Sequence, residues 1–101
     1  MPTTYKVAFR PRAKKQFDRL DTAIQRQIAR KLEERRHNPR VPGDALSGMA
    51  ECYKIKLRVR GVRLIYQVRD DVLILLVLAV GSRENEEAYR EAMRELSRSD
   101  D

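Results

Sequence analysis

From Tyr5 to Arg10 apolar and polar side chains alternate, with Tyr5, Val7 and Phe9 set against Lys6, Ala8 and Arg10. This two-residue period predicts a strand, and Pro11, which suits the first turn of a helix, ends it. The spacing then lengthens. Ala13, Phe17 and Leu20 fall on one side of a short helix over residues 11–20, and Asp21 is the expected N-cap of a second helix reaching about His37. Ile24, Ile28 and Leu32 form its buried stripe. It stops before Asn38-Pro39 because the residue preceding a proline avoids helical angles.

Pro39, Pro42, Gly43 and Gly48 mark residues 38–50 as a connecting loop, not an interdomain linker, since neither flank could bury a core alone. Residues 51–58 and 62–69 are expected strands around Val59-Arg60-Gly61, a hairpin connection in which Gly61 takes positive φ. Asp70-Asp71 makes the next turn. Residues 72–80 are apolar almost throughout, as a central strand covered on both faces requires, and Gly81 is expected to end it. A last helix is predicted over residues 84–96, with an acidic first turn that suits the helix dipole and Tyr89, Met93 and Leu96 as its apolar stripe. The pattern describes one domain over residues 1–101. It is an α+β fold of order β-α-α-β-β-β-α, a largely antiparallel four-stranded sheet packed against helices.

Charge adds a partner to this outline. Lys and Arg number 22 against 15 Asp and Glu, a net charge of +7, so a polyanion is expected, nucleic acid first. The balance is uneven: residues 1–83 carry +11 and residues 84–101 carry −4. The single cysteine, Cys52, cannot form an internal disulfide, and the N-terminal stretch lacks a secretion-signal pattern, so the cytoplasm is the expected compartment. The longest apolar run is far short of the roughly 20 residues that span a bilayer, and no membrane partner is expected.

Strand alternation puts Tyr53, Ile55 and Leu57 on one face of the hairpin and Cys52, Lys54, Lys56 and Arg58 on the other. Across it, Val62, Leu64, Tyr66 and Val68 continue the apolar face, leaving Arg63, Ile65, Gln67 and Arg69 beside the lysines. Lys54, Lys56 and Arg63 therefore form one cationic cluster. Like charges this close oppose folding, which points to a bound anion such as phosphate; the alternative is a solvated strand face whose lysines discourage edge pairing.

RNA carries its own nucleophile, the 2′-OH, so cutting it requires a base, cations for the phosphate charge and a donor for the leaving 5′-oxygen. The only histidine, His37, sits at a helix end, so no histidine pair is available and a lysine would have to serve as base. An ordinary lysine is neutral only about 0.04% of the time at pH 7, but neighbouring cations disfavour its charged form. Arg63 and Arg83 would stabilise phosphate charge through their guanidinium forks. Tyr89 falls on the apolar stripe and reads as core or as a base-stacking group. No His/Cys spacing points to a metal, and no cofactor is expected.

The runs ECYKIKLRVRGVRLIYQV and VGSRENEEAY closely resemble the RelE family of bacterial toxins, the toxin halves of type II toxin–antitoxin pairs. With the element order, the resemblance covers nearly the whole chain and implies the RelE-like microbial RNase fold. It further implies a ribosome-dependent endoribonuclease, an mRNA interferase that cleaves message in the A site of the 30S decoding centre. The chemistry would be a metal-independent 2′-OH transesterification. By that resemblance Lys56 is the general base, Lys54 and Arg63 stabilise phosphate charge, Arg83 assists the leaving oxygen and Tyr89 orients the nucleotide. Ser47 and Ser82 stand where some relatives carry a basic residue, which would weaken contacts there.

The implied partners are a RelB-like antitoxin, the ribosome and mRNA, with operator DNA bound only through the antitoxin complex. Arg58, Arg60, Lys14, Lys15, Arg30, Arg35 and Arg36 are candidates for RNA or ribosome contact, against the alternative of solvated faces. From charge alone, the acidic segment 84–101 is expected to shield the basic face until the ribosome or antitoxin displaces it. Two competing expectations remain: a ParE-like inhibitor of DNA gyrase with the same fold, and a non-catalytic nucleic-acid or ribosome-binding protein.

Overall fold

The computed structural model describes residues 4–58, 61–82 and 86–98. β1 (Lys6–Phe9) leads into α1 (Pro11–Asp18) and α2 (Thr22–His37), and a short 3-10 turn (Pro42–Asp44) interrupts the loop that follows. Then come β2 (Cys52–Lys56), β3 (Val62–Arg69), β4 (Ile74–Ser82) and α3 (Glu87–Arg98). The strands lie in the order β1-β4-β3-β2, with β1 parallel to β4 and the other pairings antiparallel. This is the α+β order that the sequence predicts, with the most apolar strand inside the sheet.

Local chemistry sets the helix ends. The Asp21 carboxylate accepts from the Ala23 N–H at 3.2 Å, capping α2. The Gln25 amide donates to the carbonyls of Phe17 (2.9 Å) and Leu20 (3.1 Å), tying α2 to the turn that follows α1. Gly61 enters β3 with φ +60°, as the hairpin requires.

Two apolar layers sandwich the sheet. On one side Ala13, Ile24, Ile28 and Leu32 pack on Ile55, Leu64, Tyr66, Leu75 and Val77. On the other, Ala88 and Ala92 of α3 pack on Cys52, Ile65, Leu78 and Ala79. A bulge in β4 serves both. Ile65 pairs with Ala79 and Tyr66 with Val77, so Leu78 is an extra residue on β4. Leu78 and Ala79 consequently both turn toward α3, while Val77 and Val80 face the α1–α2 layer. The Val80 N–H donates to the Gln16 side chain at 3.3 Å.

Three expectations are corrected. Val72 and Leu73 belong to the turn, 55% and 44% exposed, with Leu73 at φ +55°; β4 starts at Ile74 and continues through Gly81 to Ser82. The apolar run thus overstates the strand at one end, and at the other a glycine stays in the ladder because α3 lies directly over it. On α3 Tyr89 and Leu96 pack against the sheet as expected, but Met93 does not. Met93 is 45% exposed, and the buried positions are Ala88 and Ala92, small enough for the helix to lie close to the sheet. Glu91 is also buried, held by Arg12 at 2.9 Å and Arg94 at 3.3 Å.

A charged clamp ties the loop after α2 to the sheet. Arg40 reaches Glu51 at 2.6 Å and Asp70 at 2.8 Å, and the Tyr5 hydroxyl donates to Asp70. The Tyr5 hydrogen bond, then Arg40, hold the Asp70 carboxyl below its usual range.

Burial pushes the Cys52 thiol up to about 11. In the unfolded chain the thiol ionises first, near 9.0, so its stabilisation is intact below that pH and is lost as pH climbs through about 11. Urea midpoints should therefore fall between pH 9 and 11, with on the order of 2 kcal/mol from this thiol. Cys52→Ala should flatten that decline; an unchanged slope would exclude the thiol as its cause.

Candidate active site

The β2–β3 hairpin and the start of α3 build the site between them. Lys54 pairs across the ladder with Ile65, Lys56 with Arg63, and Arg63 on its other side with Gly81. All five lie on the α3 side of the sheet, because opposite residues share a face and Ile65 belongs to the α3 layer. Lys54 and Arg63 are half-buried and Lys56 is exposed. None of the three is ion-paired with a carboxylate among the described residues, whereas Arg12, Arg35, Arg36 and Arg40 all are.

These cations are divided between two adjoining hollows. The first, of about 200 Å³, is lined by Lys54, Arg63, Ser82, Glu86 and Tyr89 over an apolar floor that includes Ile65. The second, of about 460 Å³, is lined by Lys31, Lys56, Arg58 and Arg63, with Gly61 at its edge. Arg63 borders both. The first can hold a ring against Tyr89 with a phosphate at Lys54 and Arg63, and the second suits a continuing phosphate backbone. The single cluster expected from alternation is thus divided between two hollows, with Lys54 lining one, Lys56 the other and Arg63 both.

Tyr89 is half-buried: its ring packs on the α3 layer and its hydroxyl donates to the Ser47 carbonyl at 3.1 Å. Gly81 sets its height. A Cβ at Gly81 would lie 2.8 Å from Glu87 Oε1 and 3.3 Å from the Ala88 nitrogen, so a side chain there would displace the Glu87 carboxylate and press the start of α3 outward by a few tenths of an ångström. The Glu87 carboxylate accepts from the Ser82 N–H at 3.4 Å, fastening helix to strand. Arg83, expected to assist the leaving oxygen, and Arg60 lie outside the described residues.

The sequence pattern gave no sign of Glu86. Its backbone is left-handed, with φ +53°, and it puts a carboxylate on the rim of the first hollow. Glu91 and Glu95 turn instead toward α1, where Glu91 meets Arg12 and Glu95 lines a different hollow. Among the described acids of the segment expected to shield the basic face, Glu86 is the one that lines the first hollow, and none lines the second.

The helix cations separate by use. Arg30 is exposed, Lys15 is exposed, and Lys14 is exposed but paired with Asp18 at 2.7 Å. Arg35 and Arg36, expected at an RNA-facing surface, are tied into the structure. The Arg35 side chain is 12% exposed; it donates to the Asp44 carboxylate (2.6 Å), the Tyr66 hydroxyl (2.9 Å) and the Lys54 carbonyl (3.3 Å). Arg36 donates to the Tyr5 carbonyl at 2.7 Å and to Glu33, whose carboxyl it holds below its usual range. The signal for Arg35 was present: it falls three residues after Leu32 and seven after Ile28, on the buried stripe of α2. Among the described residues no group of three or more His, Cys, Asp or Glu is placed to hold a metal, and no helix is long and apolar enough to cross a membrane.

The mixed sheet and its covering helices match the architecture of small bacterial toxins of solved structure. Residues 7–87 match the family described as the ParE toxin of the type II toxin–antitoxin system parDE. A RelE-like toxin protein of Escherichia coli is 51% identical over 85 residues, 84% of this chain and 90% of the relative. The mRNA interferase toxin RelE of E. coli K12 is 41% identical over 92 residues, 91% of this chain and 97% of the relative. A solved structure of a doubly substituted E. coli RelE in the free state aligns with TM-score 0.85 at 41% identity, covering 90% of this chain and 96% of that one. The toxin in the intact E. coli RelBE toxin–antitoxin complex aligns at 0.77 and 41% identity, covering 79% and 98%. The chain belongs to the RelE family.

Two measurements test this division of charges. Arg35→Ala should destabilise the fold by about 2–4 kcal/mol, because it leaves Asp44 unpaired and part-buried, whereas Arg30→Ala should cost under about 0.5 kcal/mol. Equal urea midpoints for the two variants would refute the structural role of Arg35. Glu86→Gln should tighten binding of an uncleavable 2′-O-methyl RNA about two- to fivefold at 0.1 M salt, by removing a like charge beside phosphate. Weaker binding would show instead that the carboxylate accepts a hydrogen bond from the nucleotide.

Proposed function

We propose that the chain is an mRNA interferase toxin that cleaves message in the A site of the ribosome. The observation that carries this reading is the set of cations without carboxylate partners among the described residues: Lys54 and Arg63 line a hollow walled by Tyr89, and Lys56 lines the adjoining hollow that Arg63 shares. The relative named mRNA interferase toxin RelE supports the reaction, and the RelBE complex supports a RelB-like antitoxin as the neutralising partner, through which alone operator DNA would be bound.

In the reaction a lysine accepts the 2′-OH proton, the 2′-oxygen attacks phosphorus, and the 5′-oxygen leaves with a proton. The products are a 2′,3′-cyclic phosphate and a 5′-hydroxyl, and no metal or cofactor enters. Lys56 is assigned as base, Lys54 and Arg63 as holders of phosphate charge, Arg83 as the group at the leaving oxygen, and Tyr89 as the surface that orients the nucleotide. Arg63 touches both hollows, and so fits a phosphate lying between the stacked nucleotide and the base.

Ribosome dependence fits the size of the first hollow. At about 200 Å³ it grips little beyond one ring and its phosphate, so it does little to align the 2′-oxygen, phosphorus and 5′-oxygen in a flexible strand. A decoding centre that already holds the message would supply that alignment. Arg58, Arg60 and Arg30 are proposed to meet RNA around it, and the setting is the cytoplasm, where ribosomes are.

Programmed ribosomes carrying end-labelled message should yield a defined cut with cyclic phosphate and 5′-hydroxyl ends. Lys56→Ala should slow the single-turnover rate about 10²-fold or more while leaving the urea midpoint unchanged. An intact message would overturn the nuclease reading, and gyrase-trapped breaks in supercoiled DNA would transfer the chain to the ParE activity.

A further inference from the structure

A second cationic surface lies across α3 from the hollows described above. Tyr89 faces the first hollow, whereas Glu91, two residues on and so on nearly the opposite flank of the helix, holds Arg12. There an open depression of about 610 Å³ is lined by Arg10, Arg12, Lys15, Gln16, Arg19 and Glu95. Arg12 is balanced by Glu91, but Arg10, Lys15 and Arg19 have no carboxylate partner among the described residues. The first turn of α1 holds no acidic residue, and Arg10, its N-cap residue, makes no side-chain cap. The Arg10 Nε is shut away from solvent without a hydrogen-bond partner among the described residues.

Each of these features works against the fold when nothing is bound. A buried N–H left unmade costs about 1–3 kcal/mol, and cations crowded over the positive end of a helix repel one another. A bound anion relieves the second of these, the repulsion among the cations that line the depression. The guanidinium forks of Arg10, Arg12 and Arg19 match phosphate oxygens, and apart from Pro11 the lining offers no apolar anchor of the kind that a docked peptide uses.

We propose that this depression is a second nucleic-acid site, which takes the phosphodiester backbone of RNA lying outside the segment being cut. The inference rests on the reading of the chain as an RNA-cutting toxin, but it concerns grip and not cleavage. It also separates two neighbouring lysines: Lys15 lines the depression, while Lys14 is paired with Asp18 and does not.

The test uses the full chain carrying Lys54→Ala and Lys56→Ala, so that RNA stays intact, and a fluorescent single-stranded RNA followed by anisotropy from 50 to 300 mM salt. Lys15→Glu with Arg19→Glu should weaken binding roughly tenfold or more at 0.1 M salt and lower the salt slope by about 1.4, some 0.7 for each phosphate no longer neutralised. Lys14→Glu, a charge reversal on the same helix, should change the slope by less than half a unit. A slope change for Lys14→Glu half that of the double variant or more, in proportion to the charge reversed, would reduce the effect to net charge and overturn the site. So would unchanged RNA binding, whether or not the variant loses binding to a poly-glutamate peptide. Circular dichroism melts confirm that each variant is folded. Because Lys56→Ala cleavage on ribosomes is scored separately, failure here leaves the nuclease reading standing, and failure of cleavage leaves this site standing.

Discussion

One extra residue in β4 governs how the rest of the molecule is arranged. Up to Val77 the strand alternates strictly, and without the bulge Ala79 and Gly81 would face the α1–α2 layer. With Leu78 and Ala79 both turned toward α3, the phase is reversed and Gly81 emerges beneath the first turn of α3, opposite Arg63. The helix can then descend onto the sheet, and Tyr89 comes to stand beside Lys54 and Arg63. The core requirement and the chemical requirement are met by the same irregularity, since the two residues that anchor α3 are those that shift the register of everything after them.

Charge is the second organising theme. A chain with 22 basic residues must neutralise or separate most of them, and the described arginines show both solutions. Arg35, Arg36 and Arg40 are engaged by carboxylates and carbonyls that join α2 and its loop to the sheet. Arg35 also steadies the hairpin directly, through the Lys54 carbonyl. Cations without a carboxylate partner among the described residues gather on two flanks of α3, and each gathering surrounds a hollow. Residual repulsion of this kind slightly disfavours the folded state, and an RNA ligand would convert it into binding energy.

Alternation was enough to separate Lys54, Lys56 and Arg63 from Ile55, Leu57 and Leu64, because a half-buried antiparallel hairpin obeys a two-residue period. The α2 stripe and its Asp21 cap were legible for the same kind of reason, a strict local rule. The bulge was not, since Leu-Leu-Val-Leu-Ala-Val is apolar at every position and carries no phase. Met93 was misassigned to the seam of α3 because hydrophobicity favours it over Ala88 and Ala92, whereas close approach favours the smaller side chains. Glu86 escaped notice because its position depends on a left-handed backbone that an ordinary helix start would not have.

The parallel pairing of β1 with β4 joins residues 6–9 to residues 74–77. Pairings of such sequence separation form late, and a protein emerging from its own ribosome cannot make them until the C-terminal part of the sheet has been synthesised. Neither hollow beside Arg63 is complete before that point: one waits for the start of α3, and the strand bearing the other lacks its β4 neighbour. The topology of the sheet therefore fixes the order in which the site is assembled, with the hollow beneath Tyr89 formed last.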